Sequence, residues 1–402
     1  MITGLFCFDG PLYKDKNGIY CNVTLTDEMF SRYFPVVDKL YIVVRTYCSE
    51  KTYQELNMKP LTISNIEVVE VQNFNTIKGF LIDKRKFERS IESLIKRTDM
   101  IFARMPSNIS NTILKVAKRL KKRYLVENGG CAWDSYWNHG LMGKMIAPLM
   151  YLSERKYVAG ASFATYVTKD FLQRRYPNKN VTTNCSNVYL QPVDNSVLEE
   201  RIKKIECTDC RRVIFGQAVN SIDVKYKGEH LIIKAMGILK MQGIIIEYQV
   251  VGPGTGEYLI EIARENGVLD QLKIVGTLKK EEIFTWYKSV DVYVQPSKQE
   301  GLPRSVIEAM SVGCPALGSA IAGIPELLDK ECLFNPNDIN TIVEAIRKLL
   351  NTETLKKQAL INFERAKEYN LTDIENRRNN IFNQYKKIII GGTSNGGDDN
   401  NE

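Results

Sequence analysis

Short β-branched runs alternate with helical periods twice along this chain, and that repeat leaves few folds open. In the first round, Ile2–Phe8, Lys39–Thr46, Ile66–Val71, Met100–Met105 and Arg123–Glu127 read as strands, with helices such as Lys84–Arg97 and Ser107–Lys122 between them. A helix between two such strands makes a βαβ unit, which implies a parallel sheet covered on both faces. After a polar, charge-rich stretch the pattern restarts with strands at Val213–Gly216, Ile244–Val251, Lys273–Gly276 and Asp291–Gln295, interleaved with helices at Gly228–Met241, Glu257–Asn266 and Lys280–Tyr287. At about 150 residues per domain, 402 residues suit two such units with separate cores. The expected architecture is α/β: two doubly wound domains facing across a cleft, with ligands at the carboxyl ends of the strands. The expected divisions are a first domain over residues 1–190, a linker over 191–210, a second domain over 211–371, a helix over 372–390 returning to the first domain, and a disordered tail over 391–402.

Charge separates the halves. Residues 1–190 hold 28 Lys and Arg against 17 Asp and Glu, an excess of +11, while the remainder carries −3. The first half is therefore expected to meet something anionic, nucleic acid or a lipid surface. The opening MITGLFCF lacks a basic segment and reads as a buried strand, not a signal peptide. The longest apolar run, Leu141–Leu152, is broken by Lys144 and Pro148, so no segment is expected to span a membrane and the protein is expected in the cytosol. The nine scattered cysteines suit reduced thiols, and the spacing of Cys207 and Cys210 has no second pair to complete a zinc site.

The densest chemical signal lies in QEGLPRSVIEAMSVGCPALGSAIAGIPELL, Gln299–Leu328. A turn at Gly301 and Leu302 precedes Pro303, which suits a first helical position. Glu308 sits among Val306, Ile307, Ala309 and Met310, so its carboxylate needs a partner, either an ion pair or backbone within the protein or a bound ligand. The helix N-terminus suits a phosphate, and Glu308 lies about 6 Å further along the axis than Arg304, a separation like that between a diphosphate and ribose hydroxyls. Glu300 would then flank the phosphates on the side where an attached sugar lies. A second cluster, Lys225, Tyr226, Lys227 and Gly228, opens another helix after the strand ending at Gly216; lysines there oppose the helix dipole unless an anion is bound. The glycine-rich run VGPGTG, Val251–Gly256, reads as a flexible loop at a strand end. There is no Walker A pattern, no D-x-D, no H-E-x-x-H and no G-x-S-x-G. No metal or cofactor is expected, and a diphosphate leaving group would be neutralised by cations and helix ends.

These residues resemble glycosyltransferase family 4. Glu300 and Glu308, seven residues apart within EGLPRSVIEAM and followed by GIPELL, look like that family's E-x7-E signature, and VIFG, Lys227–Gly228, VVGPG and KIVGTL arrive in the family's order. FDGPLYK, RMPS, ENGGCAWDSYWNHG and YVTKDFLQRRYP resemble a branch from bacterial surface-polysaccharide clusters. The resemblance implies two Rossmann-like domains of the GT-B type and a retaining, metal-independent hexosyl transfer from a UDP- or GDP-sugar to a saccharide acceptor that is lipid-linked. It assigns Glu308 to the ribose hydroxyls, Glu300 to the donor sugar, and Lys227 with the amides near Gly301 and Leu302 to the diphosphate. Gly216, Gln217, Gly254, Thr277, Lys225 and Arg304 complete the implied nucleotide-sugar site. Two departures stand out: Gln217 replaces the usual arginine after the first strand of the second domain, and Asp9, Gly10 and Pro11 replace a glycine pair in the first.

After Glu127, Asp134 and His139 are candidates to orient the donor sugar or the acceptor hydroxyl, although Trp133, Tyr136 and Trp137 beside them fit a packing cluster equally well. Lys115, Lys118, Arg119 and Lys122 recur on one helix face, which reads as a solvated face or, joined to Leu141–Leu152, as a contact with anionic lipid. A nucleotide-sugar epimerase on the same fold is one alternative. A nucleic-acid-binding protein is another, weakened by the lack of a recognisable reading motif, so no nucleic acid is expected.

Overall fold

The computed structural model describes residues 1–71, 84–138, 140–188 and 190–394. Among them the strands form two sheets, one of nine strands and one of six. The first sheet is built around Thr3–Lys14, which pairs in parallel with Lys39–Cys48 on one side and Met100–Met105 on the other. Beyond Met100–Met105 follow Leu125–Asn128, Phe163–Tyr166 and Val181–Asn184, all parallel. Leu5, Phe6 and Cys7 are fully buried, as befits a central strand covered on both faces. The opening strand runs six residues past the expected Phe8, because its far half gains antiparallel partners in Tyr20–Asn22, which pairs in turn with Lys59–Pro60. The second sheet is wholly parallel, in the order Leu272–Gly276, Ile245–Val251, Arg212–Ala218, Val292–Gln295, Ala316–Ser319, Leu333–Phe334. In each sheet the first strand of its domain lies where the winding reverses, the place where doubly wound sheets bind ligands.

The stretch 191–210 is more than a linker. It holds a helix, Ser196–Glu206, that docks on the second domain, and its Arg201 is buried with guanidinium nitrogens donating to the carbonyls of Tyr287 and Val290, both at 2.7 Å. Three caught carbonyls compensate a buried cation, the third being that of Val312 at 3.4 Å. At the other end, the helix Leu371–Ser394 crosses back onto the first sheet, where Ile381, Phe382 and Tyr385 join the core around Phe6, Tyr33 and Phe102. It extends past Ile390 to Ser394; residues 395–402 of the expected tail lie outside the described residues.

Tyr385 pins this crossing, accepting from the Ile101 amide at 3.0 Å and donating to the Arg123 carbonyl at 2.9 Å. Tyr385→Phe removes both bonds and leaves a buried amide without its acceptor, so the fold should lose about 1–3 kcal/mol, read as a lower midpoint in urea at unchanged slope.

Candidate active site

The two domains enclose a cleft of about 720 Å³. From the second domain it is lined by Tyr226, Lys227, Gln299, Glu300, Gly301, Arg304 and Glu308; the first domain supplies Arg32, Lys59, Arg104, Gly129, Gly130 and Ser135 among others.

The helix Arg304–Ser311 follows the strand Val292–Gln295 and a loop that puts Pro303 at the cap, one position earlier than the sequence suggests. No side chain caps this helix, so its first amides stay available beside the cleft. One turn on, Glu308 lines the cleft and accepts from the Tyr287 hydroxyl at 3.0 Å. Burial, with the charge of Glu308 next, drives the Tyr287 phenol well above its ordinary range, so it stays a hydrogen-bond donor. Glu300 meets Lys227 at 2.8 Å, both side chains mostly buried, and the same oxygen accepts from the Gln295 amide at 3.0 Å. Lys227 closes a 3-10 turn, Lys225–Lys227, that is followed by Gly228 at φ +83°. A side chain at Gly228 would collide with the carbonyl of Pro296, so glycine is required where this turn passes the strand end.

The remaining sequence candidates are distributed around this centre. Gln217 is fully buried behind it, donating to the Lys227 carbonyl at 3.1 Å and accepting from the Tyr248 hydroxyl; it holds the lysine's backbone from inside the sheet. Gly216 packs against Trp286 and Val290. The Lys225 ammonium sits 4.4 Å from the Tyr258 ring centre, outside the cleft lining. Gly254 lies in a loop organised by Asp223, whose carboxylate accepts from the amides of Thr255 and Gly256, and Thr277 is exposed beyond the strand Leu272–Gly276. Leu302 is buried, while Gly301 faces the cleft. On the helix Ala132–Trp137 it is Ser135, not Asp134, that reaches the cleft; Asp134 pairs with Arg175 at 3.8 Å, and Trp133 stacks on Trp137 with centroids 5.1 Å apart. His139 lies outside the described residues.

The sequence reading missed the first-domain cations. Arg104 stands next to last in the strand Met100–Met105 and reaches the buried Glu127 at 3.4 Å; burial works to raise that carboxyl, and Arg104, Arg32 and the Tyr33 hydroxyl together outweigh it and hold it below its ordinary range. Its place at a strand's carboxyl end was the available signal. Asp9 accounts for the missing glycine pair: it accepts from the amides of Asn108 at 2.7 Å and Ile109 at 2.8 Å, filling the N-terminus of the helix Asn108–Arg119 with the protein's own carboxylate.

With this geometry in place, comparison with known proteins identifies the chain. A family model describing glycosyl transferases group 1 matches residues 221–367. Over 400 residues, 96% of each chain, it is 30% identical to Protein CapJ of Staphylococcus aureus. The chain belongs to this glycosyltransferase family and is an enzyme that transfers sugars. Across 110 residues, 26% of this chain and 27% of the relative, it is 38% identical to the amylovoran biosynthesis glycosyltransferase AmsK of Erwinia amylovora. The crystal structure of HepE from Anabaena in complex with UDP and glucose superimposes with a TM-score of 0.59 at 16% identity, covering 98% of this chain and 100% of that one. The fold is GT-B, with two α/β domains, one sheet wholly parallel and the other parallel apart from its short antiparallel edge, facing across a cleft.

Beneath the helix Ala132–Trp137, Glu154 is wholly buried and accepts from the Ala132 amide at 2.9 Å. Burial pushes its carboxyl up to about 8, and burial raises Glu229, next to Gly228, likewise to about 8. An unfolded glutamate titrates near about 4.3. Each group therefore stabilises the fold fully below that pH, and the contribution is lost as pH rises toward 8, by up to about 1.4 kcal/mol per pH unit per group. Glu154→Gln should flatten the decline between pH 5 and pH 8, with Glu229 supplying what slope persists; urea titrations at a series of pH values measure this.

Proposed function

We propose that this enzyme is a retaining glycosyltransferase of the family 4 type, moving a hexose from a UDP- or GDP-sugar onto a growing, lipid-linked saccharide of a surface polysaccharide. The observation carrying this reading is the convergence of Lys227, Glu300, Arg304, Glu308 and an uncapped helix N-terminus on one cleft wall. The partial sequence likeness to the amylovoran glycosyltransferase supports polysaccharide synthesis, and the UDP-bound fold neighbour supports a nucleotide-sugar donor. The family match disfavours both epimerase and nucleic-acid-binding readings.

In this reading the diphosphate lies at the N-terminus of the Arg304 helix, with Glu308 accepting from the ribose hydroxyls and Glu300 beside the sugar. The acceptor oxygen bonds to the anomeric carbon as the bond from that carbon to the diphosphate oxygen breaks, and the hydroxyl proton passes to the departing diphosphate. Lys227, Arg304 and the helix amides stabilise the charge that develops on the leaving group. The donor is held by residues 211–371 and the acceptor by residues 1–190, with Ser135 and Arg104 on the acceptor side.

Lys227→Ala should lower kcat/KM about 100-fold, roughly 3 kcal/mol of transition-state stabilisation. Glu308→Gln should mainly weaken nucleoside diphosphate affinity, read by calorimetry with UDP and GDP; unchanged affinity for whichever binds would remove Glu308 from the ribose. EDTA should leave most activity intact, because cations and helix amides take the role of a metal; complete, magnesium-reversible loss would contradict this.

A further inference from the structure

The cleft is unevenly charged. Among the described residues that line it, those of the second domain balance, with Lys227 and Arg304 against Glu300 and Glu308. Those of the first domain do not: Arg32, Lys59 and Arg104 face Glu28 alone, a surplus of two positive charges. A smaller recess shares Arg32, Arg104 and Asn187 with the cleft, and it adds Arg378 and the carboxylate of Glu127, which leaves the surplus as it was. On the helix Asn108–Arg119, by contrast, Lys115 pairs with Glu88 and Arg119 with Glu92.

The surplus is also fixed in position. The Arg104 guanidinium carbon lies 5.3 Å from the Phe6 ring centre and 5.5 Å from that of Phe8, while its Nη2 is 3.4 Å from Glu127 and 3.6 Å from the Met29 sulfur. Arg32 donates to the Asn187 side-chain oxygen at 3.3 Å, and the buried Arg378 donates to the Ser186 carbonyl at 3.1 Å. Three guanidiniums thus share a recess with one carboxylate. Like charges gathered at a partly buried place repel, and an arriving anion relieves that repulsion. A concave wall of one sign also concentrates its field on whatever enters.

We propose that this wall is a subsite for an oxyanion carried by the acceptor saccharide, a carboxylate or a phosphate, bound by Arg104 and Arg32 with Lys59 at its exposed edge. Guanidinium forks match the paired oxygens of either group. Phe8 and the hydroxyls of Thr24 and Thr26 line the same wall, an apolar face and hydrogen-bonding groups suited to the ring that bears the charge. The inference rests on the proposed function in one respect, that the acceptor lies against the first domain, and it deepens that reading from a saccharide to an acidic one.

The test titrates the full chain, with and without saturating UDP or GDP, with methyl glucoside, methyl glucosiduronate and methyl glucoside 6-phosphate, which differ at a single carbon. At least one anionic probe should bind about tenfold or more tightly than the neutral one and lose that advantage in high salt. Which probe does so tells a uronate carboxylate from a sugar phosphate. Arg104→Gln with Arg32→Gln should abolish the preference, Lys59→Gln should reduce it, and Lys115→Gln with Arg119→Gln should keep it, all with unchanged nucleotide affinity. Lys59 is exposed, so its variant reports even if the loss of both arginines prevents folding. The proposal is overturned if the three probes bind the parent alike, absence of binding by all of them included, or if Lys59→Gln leaves the preference undiminished. It is equally overturned if the arginine variant loses nucleotide affinity by the same factor, which would give these cations to the donor diphosphate. A parent that binds neither UDP nor GDP would instead fail the donor reading, while the comparison of probes without nucleotide stands.

Discussion

The cleft depends on two backbones approaching where no side chain fits. A Cβ on Gly301 would overlap the carbonyl oxygen of Gly129, so the loop carrying Glu300 lies directly against the loop that follows the strand Leu125–Asn128. Gly301 also accepts from the Gly323 amide at 2.9 Å, which ties the GIPELL segment to the same contact. The Lys227–Glu300 pair and the Arg304 helix thereby face the first domain at short range, with both side chains of the pair mostly buried. A charge pair in such surroundings acts more strongly than it would on an open surface.

Much of this was legible in the sequence, for identifiable reasons. Parallel strands buried on both faces read as continuous apolar runs, so Lys39–Cys48, Met100–Met105 and Val292–Gln295 announced themselves, and the glutamates of EGLPRSVIEAM came with a helix period that fixed their relation. Less legible was anything that depends on a partner distant in sequence. Ser196–Glu206 reads as a polar linker because Arg201 is satisfied by carbonyls some 86–111 residues away. Lys225 and Lys227 look equivalent in the chain, yet a 3-10 turn sends one to Tyr258 and the other to Glu300. Asp134 and Ser135 are neighbours whose helical positions point them apart, and no composition argument separates them.

The two domains treat their helix N-termini in opposite ways. In the first, Asp9 fills the N-terminus of Asn108–Arg119 with a carboxylate of the protein itself, so that site offers nothing to a phosphate. In the second, the Arg304 helix has no side-chain cap. This asymmetry places the anion-binding capacity of helix dipoles on one wall only. On the other wall the positive charge is carried by side chains that line the cleft, Arg32, Lys59 and Arg104.

Glu326 joins the domains in an unusual currency. Its carboxylate, on the second domain, accepts from the backbone amides of Lys169, Asp170 and Phe171 on the first, with Lys169 and Glu368 forming an ion pair alongside. Because the amides belong to every amino acid, this latch reads the path of the partner's chain and is indifferent to most of its side chains. The first domain can therefore drift in sequence around residues 169–171 without losing its grip on the second, while position 326 cannot. A first domain of quite different sequence would still fit this joint, provided that it brings a helix start to the same place beneath Glu326.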